Sequence, residues 1–191
     1  MATKTLITGG VRSGKSRYAL ARALAVPAPR VFVATADRAD GSMRERIQKH
    51  QADRGNKFQL IEETLDLPAA FVNLKAKPSV IVIDCLTLWM GNLLQTFRQD
   101  PARIQKLTEN LETCVRESET DFILVTNEVG SGVIPSNALA RDFLDELGQL
   151  NQKFANACTE VILMVSGIPQ TLKASHSYET MDRTLKAHST D

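Results

Sequence analysis

The sequence has few cysteines, and they lie far apart. Only Cys85, Cys114 and Cys158 occur among the 191 residues, an odd number without the spacing of a disulfide framework or of paired metal ligands. A disulfide-stapled secreted scaffold is therefore excluded, and a reducing cytoplasm is the expected location. The sequence also shows neither a signal peptide nor an apolar run near the roughly 20 residues that a membrane span needs.

An excess of charge of one sign is also lacking. The chain has 23 Lys and Arg against 22 Asp and Glu, a net charge of +1, so nothing drives it electrostatically toward nucleic acid and we expect no nucleic-acid partner. Hydrophobic residues at 43% exclude a wholly disordered chain. The length fits one domain, predicted at 1–170, followed by a polar and weakly periodic arm or tail at 171–191.

Short apolar segments alternate with helix-forming segments along the chain. Strands are predicted at Thr5–Thr8, Val31–Thr35, Phe58–Glu62, Val80–Asp84, Phe122–Thr126 and Val161–Val165. Helices are predicted from Ser13 to before Pro27, and over Ser42–Gln51, Leu65–Leu74, Leu86–Phe97, Ala102–Glu117 and Asn137–Ala157. This alternation predicts an α/β fold of the P-loop NTPase type (RecA-like), a mostly parallel sheet with helices on both faces.

The first strand runs into a phosphate-loop motif. The segment Gly9-Gly10-Val11-Arg12-Ser13-Gly14-Lys15-Ser16 matches the motif G-x-x-x-x-G-K-[ST]. A predicted strand precedes it and a predicted helix follows it. The glycines let backbone N–H groups turn toward phosphates, and the helix N-terminus adds its dipole. Lys15 is predicted to reach the outer phosphates and Ser16 to bind Mg²⁺.

A metal-bound nucleotide needs a second oxygen ligand. Asp84 ends the most apolar strand, where the acid of a phosphate-loop enzyme lies, but an Asp before a helix is also a common N-cap. The guanine-selecting N-K-x-D motif of switch GTPases is absent, because Asn127 is followed by Glu128 and Val129. The residues therefore indicate an enzyme or switch that uses Mg²⁺ and a nucleotide, with a GTPase switch disfavoured.

His50 lies in a strongly basic segment. Arg46, Lys49 and Arg54 surround it in sequence, and there is almost no apolar stripe. A plain surface helix is one interpretation. In the other, the cations surround a phosphate and the neutral imidazole of His50 is the nucleophile that carries a phosphoryl or nucleotidyl group. Spacing alone does not decide between them.

Several blocks of the sequence resemble the bifunctional adenosylcobinamide kinase/adenosylcobinamide-phosphate guanylyltransferase family. The resemblance covers about residues 5–170. Its blocks are the phosphate loop with Arg17, Ala34-Thr35-Ala36, Arg46-Ile47 with His50 and Arg54, Asp84-Cys85-Leu86-Thr87-Leu88-Trp89 with Asn92-Leu93-Leu94, Val125-Thr126-Asn127-Glu128-Val129-Gly130-Ser131-Gly132-Val133-Ile134-Pro135, and the following helix with Arg141, Asn151 and Gln152. The phosphate loop alone is weakly specific, whereas the blocks that begin at Asp84 and Val125 are together highly specific.

The resemblance implies two reactions. In the first, a nucleoside triphosphate, either GTP or ATP, phosphorylates the aminopropanol hydroxyl of adenosylcobinamide. In the second, GMP from GTP is transferred to that phosphate to give adenosylcobinamide-GDP. It implies that His50 carries GMP covalently, that Mg²⁺ accompanies the nucleotide, and that the protein forms a homotrimer. Besides the phosphate loop and Asp84, it implies guanine-nucleotide contacts from Thr35, Ala36, Gln51, Ala52, Asp53, Arg54 and Glu62.

Two positions depart from the family pattern, and two other functions stay open. Ser42 replaces a carboxylate and Phe58 replaces a tryptophan, both near the region expected to transfer GMP.

An enzyme with only one of the two activities is one alternative, and a nucleotide-dependent regulatory protein without turnover is another. Val11, Trp89, Met90 and Leu93 are candidates either for the trimer interface or for the core.

Overall fold

The computed structural model describes residues 2–36, 55–72, 74 and 76–174. Expectations for the basic segment around His50 and for residues 175–191 lie outside these described residues. The elements in chain order are β1 (Lys4–Gly9), α1 (Lys15–Leu24), β2 (Arg30–Ala34), a 3-10 turn (Gly55–Lys57), β3 (Gln59–Glu62), α2 (Leu67–Val72), β4 (Val80–Asp84), α3 (Leu86–Phe97), α4 (Pro101–Glu117), β5 (Asp121–Val125), α5 (Ala138–Ala157), β6 (Glu160–Val165) and β7 (Ile168–Lys173).

The described strands form one sheet in the order β3-β2-β4-β5-β1-β6-β7. The pairings from β3 through β6 are parallel, and β7 is antiparallel to β6. The carboxyl ends of β1 to β6 therefore meet at one edge of the sheet, which is where ligands bind in open α/β sheets.

Apolar side chains alternate between the two faces of the strands, and helices cover both. On β4, Ile81 and Ile83 belong to the core cluster under α3, α4 and α5, whereas Val80 and Val82 belong to the cluster under α1. A strand buried on both faces reads as a continuous apolar run, which is why β4 is so clear in the sequence. The predicted α/β architecture with helices on both faces is confirmed.

The helix ends carry the capping groups that their sequences supply. Asn137 caps α5, its side-chain oxygen accepting from the N–H of Leu139 at 2.8 Å. Asp100 caps α4 by accepting from the N–H of Arg103 at 3.0 Å, and Pro101 occupies the first turn, where its missing N–H costs nothing. The predicted helices at Leu86–Phe97, Ala102–Glu117 and Asn137–Ala157 thus agree with the structure to within one residue.

The strand β7 was not predicted, and the expected boundary after Gln170 falls inside it. Its residues are almost all exposed, so the sequence lacks the apolar run of a buried strand. The turn between β6 and β7 consists of Ser166 and Gly167. Both have positive φ, 51° and 85°, as a two-residue hairpin loop requires. The division into a domain and a tail stays a prediction for residues beyond Ala174.

Candidate nucleotide-binding and phosphoryl-transfer site

The phosphate loop connects the carboxyl end of β1 to the N-terminus of α1. Gly9 and Gly14 have φ of +142° and +97°, and Arg12, between them, has φ of +58°. Gly14 is the N-cap of α1, so the first N–H groups of the helix face the loop. Positive φ angles at these positions turn the backbone sharply, as this motif requires if its N–H groups are to bind phosphate oxygens.

The floor of the loop is packed against the turn between β6 and β7. The N–H of Gly167 donates to the carbonyl of Ser13 at 2.9 Å. A Cβ on Gly14 would lie 3.3 Å from the Cα of Gly167, so glycine is needed here for close backbone approach as well as for conformation. The hairpin of β6 and β7, which the sequence did not predict, therefore packs against the phosphate loop and supports it.

Lys15 and Ser13 place polar groups inside the loop. The Nζ of Lys15 donates to the carbonyl of Gly9 at 2.9 Å and to that of Gly10 at 2.6 Å. The hydroxyl of Ser13 is buried and finds no hydrogen-bond partner among the described residues. Because a buried hydroxyl without a partner costs about 1–3 kcal/mol, this group fits a phosphate oxygen.

Ser16 and Asp84 provide the oxygen donors expected for Mg²⁺. Ser16 lies in the first turn of α1, and Asp84 ends β4, which β5 alone separates from β1, a span of about 10 Å. No cluster of three or more metal-binding side chains occurs in the described part of the chain. Mg²⁺ at phosphoryl-transfer sites takes one or two protein ligands and completes its shell with phosphates and water, so the donor set fits this ion.

The alternative role of Asp84 as a helix cap does not match the geometry of α3. That helix begins at Leu86, and its N-cap is Cys85, one residue later than Asp84. Burial, and then the charge of Asp84, raise the pKa of Cys85 to about 12. The Cys85 thiol is therefore neutral near pH 7 and is a poor nucleophile.

Thr35 joins the ends of β2 and β4 beside Asp84. It is fully buried, and its hydroxyl donates to the carbonyl of Cys85 at 2.8 Å while accepting from the Cys85 N–H at 2.8 Å. The amide of Asn92 donates to the Thr35 carbonyl at 2.8 Å. Thr35 thus braces the strand ends in this arrangement. The nucleotide contacts expected for Thr35 and for the half-buried Ala36 stay predictions.

Glu62 and the residues near His50 complete the predicted set. Glu62 is exposed at the carboxyl end of β3 and pairs in register with Ala34. It lies four strands from β1, roughly 19 Å across the sheet edge, so it is remote from Lys15, and its contact with guanine stays a prediction. His50, Gln51, Ala52, Asp53 and Arg54 lie outside the described residues, and their roles stay predictions.

One feature of the site was assigned no role from the sequence, namely the chain that follows β5. Because β5 lies between β1 and β4, residues Thr126, Asn127 and Glu128 emerge between the phosphate loop and Asp84. The N–H of Glu128 donates to the carbonyl of Gly9 at 3.1 Å. The available signal was a run of three polar residues directly after a buried strand, at the edge where the other site residues lie.

Three candidates for the trimer interface are core residues. Trp89, Met90 and Leu93 are all essentially inaccessible to solvent, and the indole N–H of Trp89 donates to the Leu65 carbonyl at 2.8 Å. Val11, in the phosphate loop, is 70% exposed. Only Val11 among the four is therefore placed to contact another molecule.

Most of the chain matches a known family. A model of the family described as cobinamide kinase / cobinamide phosphate guanyltransferase matches residues 5–172. The chain belongs to this family. The resemblance drawn from the sequence blocks is thereby confirmed, and the match includes most of β7. The chain is accordingly a bifunctional kinase and guanylyltransferase.

Three named relatives are similar to this chain over nearly their full length. The bifunctional adenosylcobalamin biosynthesis protein CobP of Pseudomonas aeruginosa is 40% identical over 170 residues, which cover 89% of this chain and 97% of that protein. The bifunctional adenosylcobalamin biosynthesis protein CobU of Salmonella typhimurium is 37% identical over 180 residues, which cover 88% of this chain and 98% of that protein. The CobU protein of Escherichia coli is 35% identical over 185 residues, covering 88% and 98%.

Solved structures show the same fold at low identity. A protein from Pyrococcus horikoshii OT3 superposes with a TM-score of 0.58 at 9% identity, covering 92% of this chain and 88% of its own. An ATPase from the type III secretion system of pathogenic bacteria has a TM-score of 0.56 at 10% identity, covering 84% and 50%. These likenesses support the P-loop ATPase type of fold. Among the described residues, no helix combines the length and the apolar character of a membrane span.

Proposed function

We propose that this cobinamide kinase / cobinamide phosphate guanylyltransferase of cobalamin biosynthesis carries out both reactions from the carboxyl edge of its sheet. The observation that carries the proposal is the phosphate loop at that edge, where Gly9, Arg12 and Gly14 have the positive φ angles of a loop that binds phosphates through its backbone. In the first reaction a nucleoside triphosphate phosphorylates the aminopropanol hydroxyl of adenosylcobinamide. In the second, GMP from GTP is joined to the new phosphate.

In the kinase step the protein mainly positions the nucleotide and neutralises the negative charge of its phosphates. The loop N–H groups bind the phosphates, and Lys15 moves from the carbonyls of Gly9 and Gly10 to the outer phosphate oxygens. Ser16 and Asp84 are the residues that would hold Mg²⁺, which would supply positive charge to the phosphates. Arg12, exposed beside the loop, adds a further cation.

The second reaction is proposed to proceed through His50. An imidazole nitrogen forms a bond to the α-phosphorus of GTP as the bond to the pyrophosphate oxygen breaks. A phosphate oxygen of cobinamide phosphate then attacks the same phosphorus, and the electron pair of the P–N bond returns to the imidazole. One difficult displacement is thus divided into two easier ones. Support comes from membership of the family and from the resemblance of the Arg46 to Arg54 block.

The finer assignments follow the same resemblance. GTP is the donor for guanylyl transfer, with ATP or GTP serving the kinase step, and Glu62 accepts hydrogen bonds from the N1 and N2 groups of guanine. The protein works as a homotrimer. Its location in the cytoplasm is proposed on a different ground, namely its few and widely spaced cysteines. Light scattering after size-exclusion chromatography tests the trimer, because a monomer of 21.0 kDa and a trimer differ threefold in mass.

Covalent labelling tests the proposed mechanism directly. The full chain is incubated with Mg²⁺ and GTP labelled at the α-phosphate, then denatured. Label that stays on the protein, is stable to alkali and labile to acid, and is lost in His50→Ala is the expected result. His188→Ala is the matched control and should keep the label. Absence of label despite measured GTP binding would favour the kinase-only alternative.

A further inference from the structure

The backbone of Glu128 is attached to the phosphate loop at the same atom as Lys15. The carbonyl oxygen of Gly9 accepts from the N–H of Glu128 at 3.1 Å and from the Nζ of Lys15 at 2.9 Å. The Glu128 nitrogen and the Lys15 ammonium therefore lie within about 6 Å of each other, since both are within hydrogen-bond distance of one oxygen. Glu128 thus lies beside the group expected to bind the transferred phosphoryl group.

A buried polar network holds the chain just before Glu128. The hydroxyl of Thr87 accepts from the N–H of Asn127 at 2.7 Å, and the amide of Asn151 donates to the Asn127 carbonyl at 3.0 Å. The hydroxyl of Thr126, which is fully buried, donates to the Asn151 side-chain oxygen at 2.7 Å. Side chains from α3 and α5 thereby hold both backbone groups of Asn127, so the position of Glu128 is well defined.

The carboxylate of Glu128 is exposed and no described residue pairs with it. Of the other acids at this edge, Glu62 and Glu63 lie at the end of β3, four strands from β1, and the side chain of Glu63 accepts from the N–H groups of Leu65 and Asp66 at 2.8 and 3.0 Å. Asp84 is assigned to Mg²⁺. Among the described carboxylates, Glu128 is thus the one that is both held at the phosphate loop and open to a substrate.

We propose that Glu128 is the general base of the kinase step, an inference that rests on the proposed function. Its carboxylate accepts the proton of the acceptor hydroxyl as that oxygen bonds to the γ-phosphorus. The bond from the γ-phosphorus to the bridging oxygen breaks, and its electron pair leaves on the nucleoside diphosphate. The proton then passes from Glu128 to solvent. A positioned base of this kind contributes about 10²- to 10⁴-fold to rate.

The two reactions differ in their need for this base. The acceptor of the kinase step is a hydroxyl, which must lose its proton to attack efficiently. The acceptor of guanylyl transfer is a phosphate monoester, whose second pKa near 6 leaves its oxygens ionised at neutral pH. Removal of the Glu128 carboxylate is therefore expected to affect the first reaction and spare the second.

The test assays Glu128→Gln in the full chain with each acceptor separately. With cobinamide, kcat for phosphorylation should fall at least about 100-fold while KM for the nucleotide stays within about threefold. With cobinamide phosphate supplied, guanylyl transfer should stay within about threefold of the unmodified protein. Glu117→Gln, on the exposed end of α4, is the matched control and should leave both rates unchanged.

Two results would overturn the assignment. Phosphorylation within about threefold of the unmodified rate would show that no base is needed at Glu128. Equal losses in both reactions, or a large rise in KM for the nucleotide, would show that the side chain supports the loop instead. Failure of the proposed function is distinguishable, because the unmodified protein itself would then not phosphorylate cobinamide.

Discussion

The carbonyl oxygen of Met164 lies 2.4 Å from the position that a Cβ atom would take on Gly9. Real Cβ atoms do not approach a backbone oxygen so closely, and the φ of Gly9, +142°, is one that other residues rarely adopt. Met164 is in β6 and pairs with Gly9 in register. The start of the phosphate loop is therefore shaped by the neighbouring strand as well as by its own sequence.

Gly9→Ala is expected to distort the loop and weaken binding of the nucleotide. Backbone strain of about 1–3 kcal/mol, if relieved only in the unbound protein, corresponds to a rise in Kd for GTP of roughly 5- to 150-fold. Gly10→Ala is the matched control, because a Cβ there meets nothing within 4 Å. Titration calorimetry with GTP checks both. Equal affinities for the two variants would contradict the argument.

Thr35→Val is expected to destabilise the fold through the end of β4. The variant keeps the shape of Thr35 but leaves the buried N–H of Cys85 without the hydroxyl that accepts it, at a cost of about 1–3 kcal/mol in the free energy of unfolding. Thr35→Ser retains the hydroxyl, so its free energy of unfolding should fall by less. Urea denaturation measures both, and a Val variant as stable as the Ser variant would refute this role.

The buried part of the fold could be predicted because burial leaves a mark in the sequence. Segments such as Val80–Asp84 are apolar at every position except the last, since the strand is covered on both faces. The exposed edge strand β7 has no such pattern. It is stabilised by pairing with β6, which a local pattern does not report.

The candidate site was predictable to the extent that its residues form a local motif. The segment Gly9–Ser16 and the acid Asp84 each lie at the end of a strand that the sequence predicts. The structure places both at the carboxyl edge of the sheet. Glu128 belongs to a polar run that follows a buried strand, but its role could not be predicted, because its place beside Gly9 depends on β5 entering the sheet between β1 and β4. That strand order is set by long-range packing and not by any single segment.

Trp89 is expected to report on the core containing α3. It is the one tryptophan in the chain and is inaccessible to solvent, so its emission should shift to longer wavelength when urea unfolds the protein. Trp89→Phe loses the hydrogen bond to the Leu65 carbonyl and leaves a cavity. The free energy of unfolding should fall by about 1–3 kcal/mol. Emission that does not change on unfolding would contradict the buried position.

Two truncations separate the edge strand from the residues after it. A chain ending at Ala174 keeps β7 and should retain both reactions. A chain ending at Gln170 loses Thr171 and Lys173, which pair with Ile162 and Val161.

It also loses the hydrogen bonds from the Lys173 Nζ to the carbonyls of Ala155, at 2.9 Å, and Asn156, at 3.1 Å, at the end of α5. Cations at a helix C-terminus stabilise it, and with the lost pairing we expect the free energy of unfolding to fall by about 1–3 kcal/mol. Urea denaturation and both activity assays compare the two chains. Equal stability would mean that β7 contributes nothing beyond Gln170, whereas loss of activity in the longer chain would place a functional group in residues 175–191.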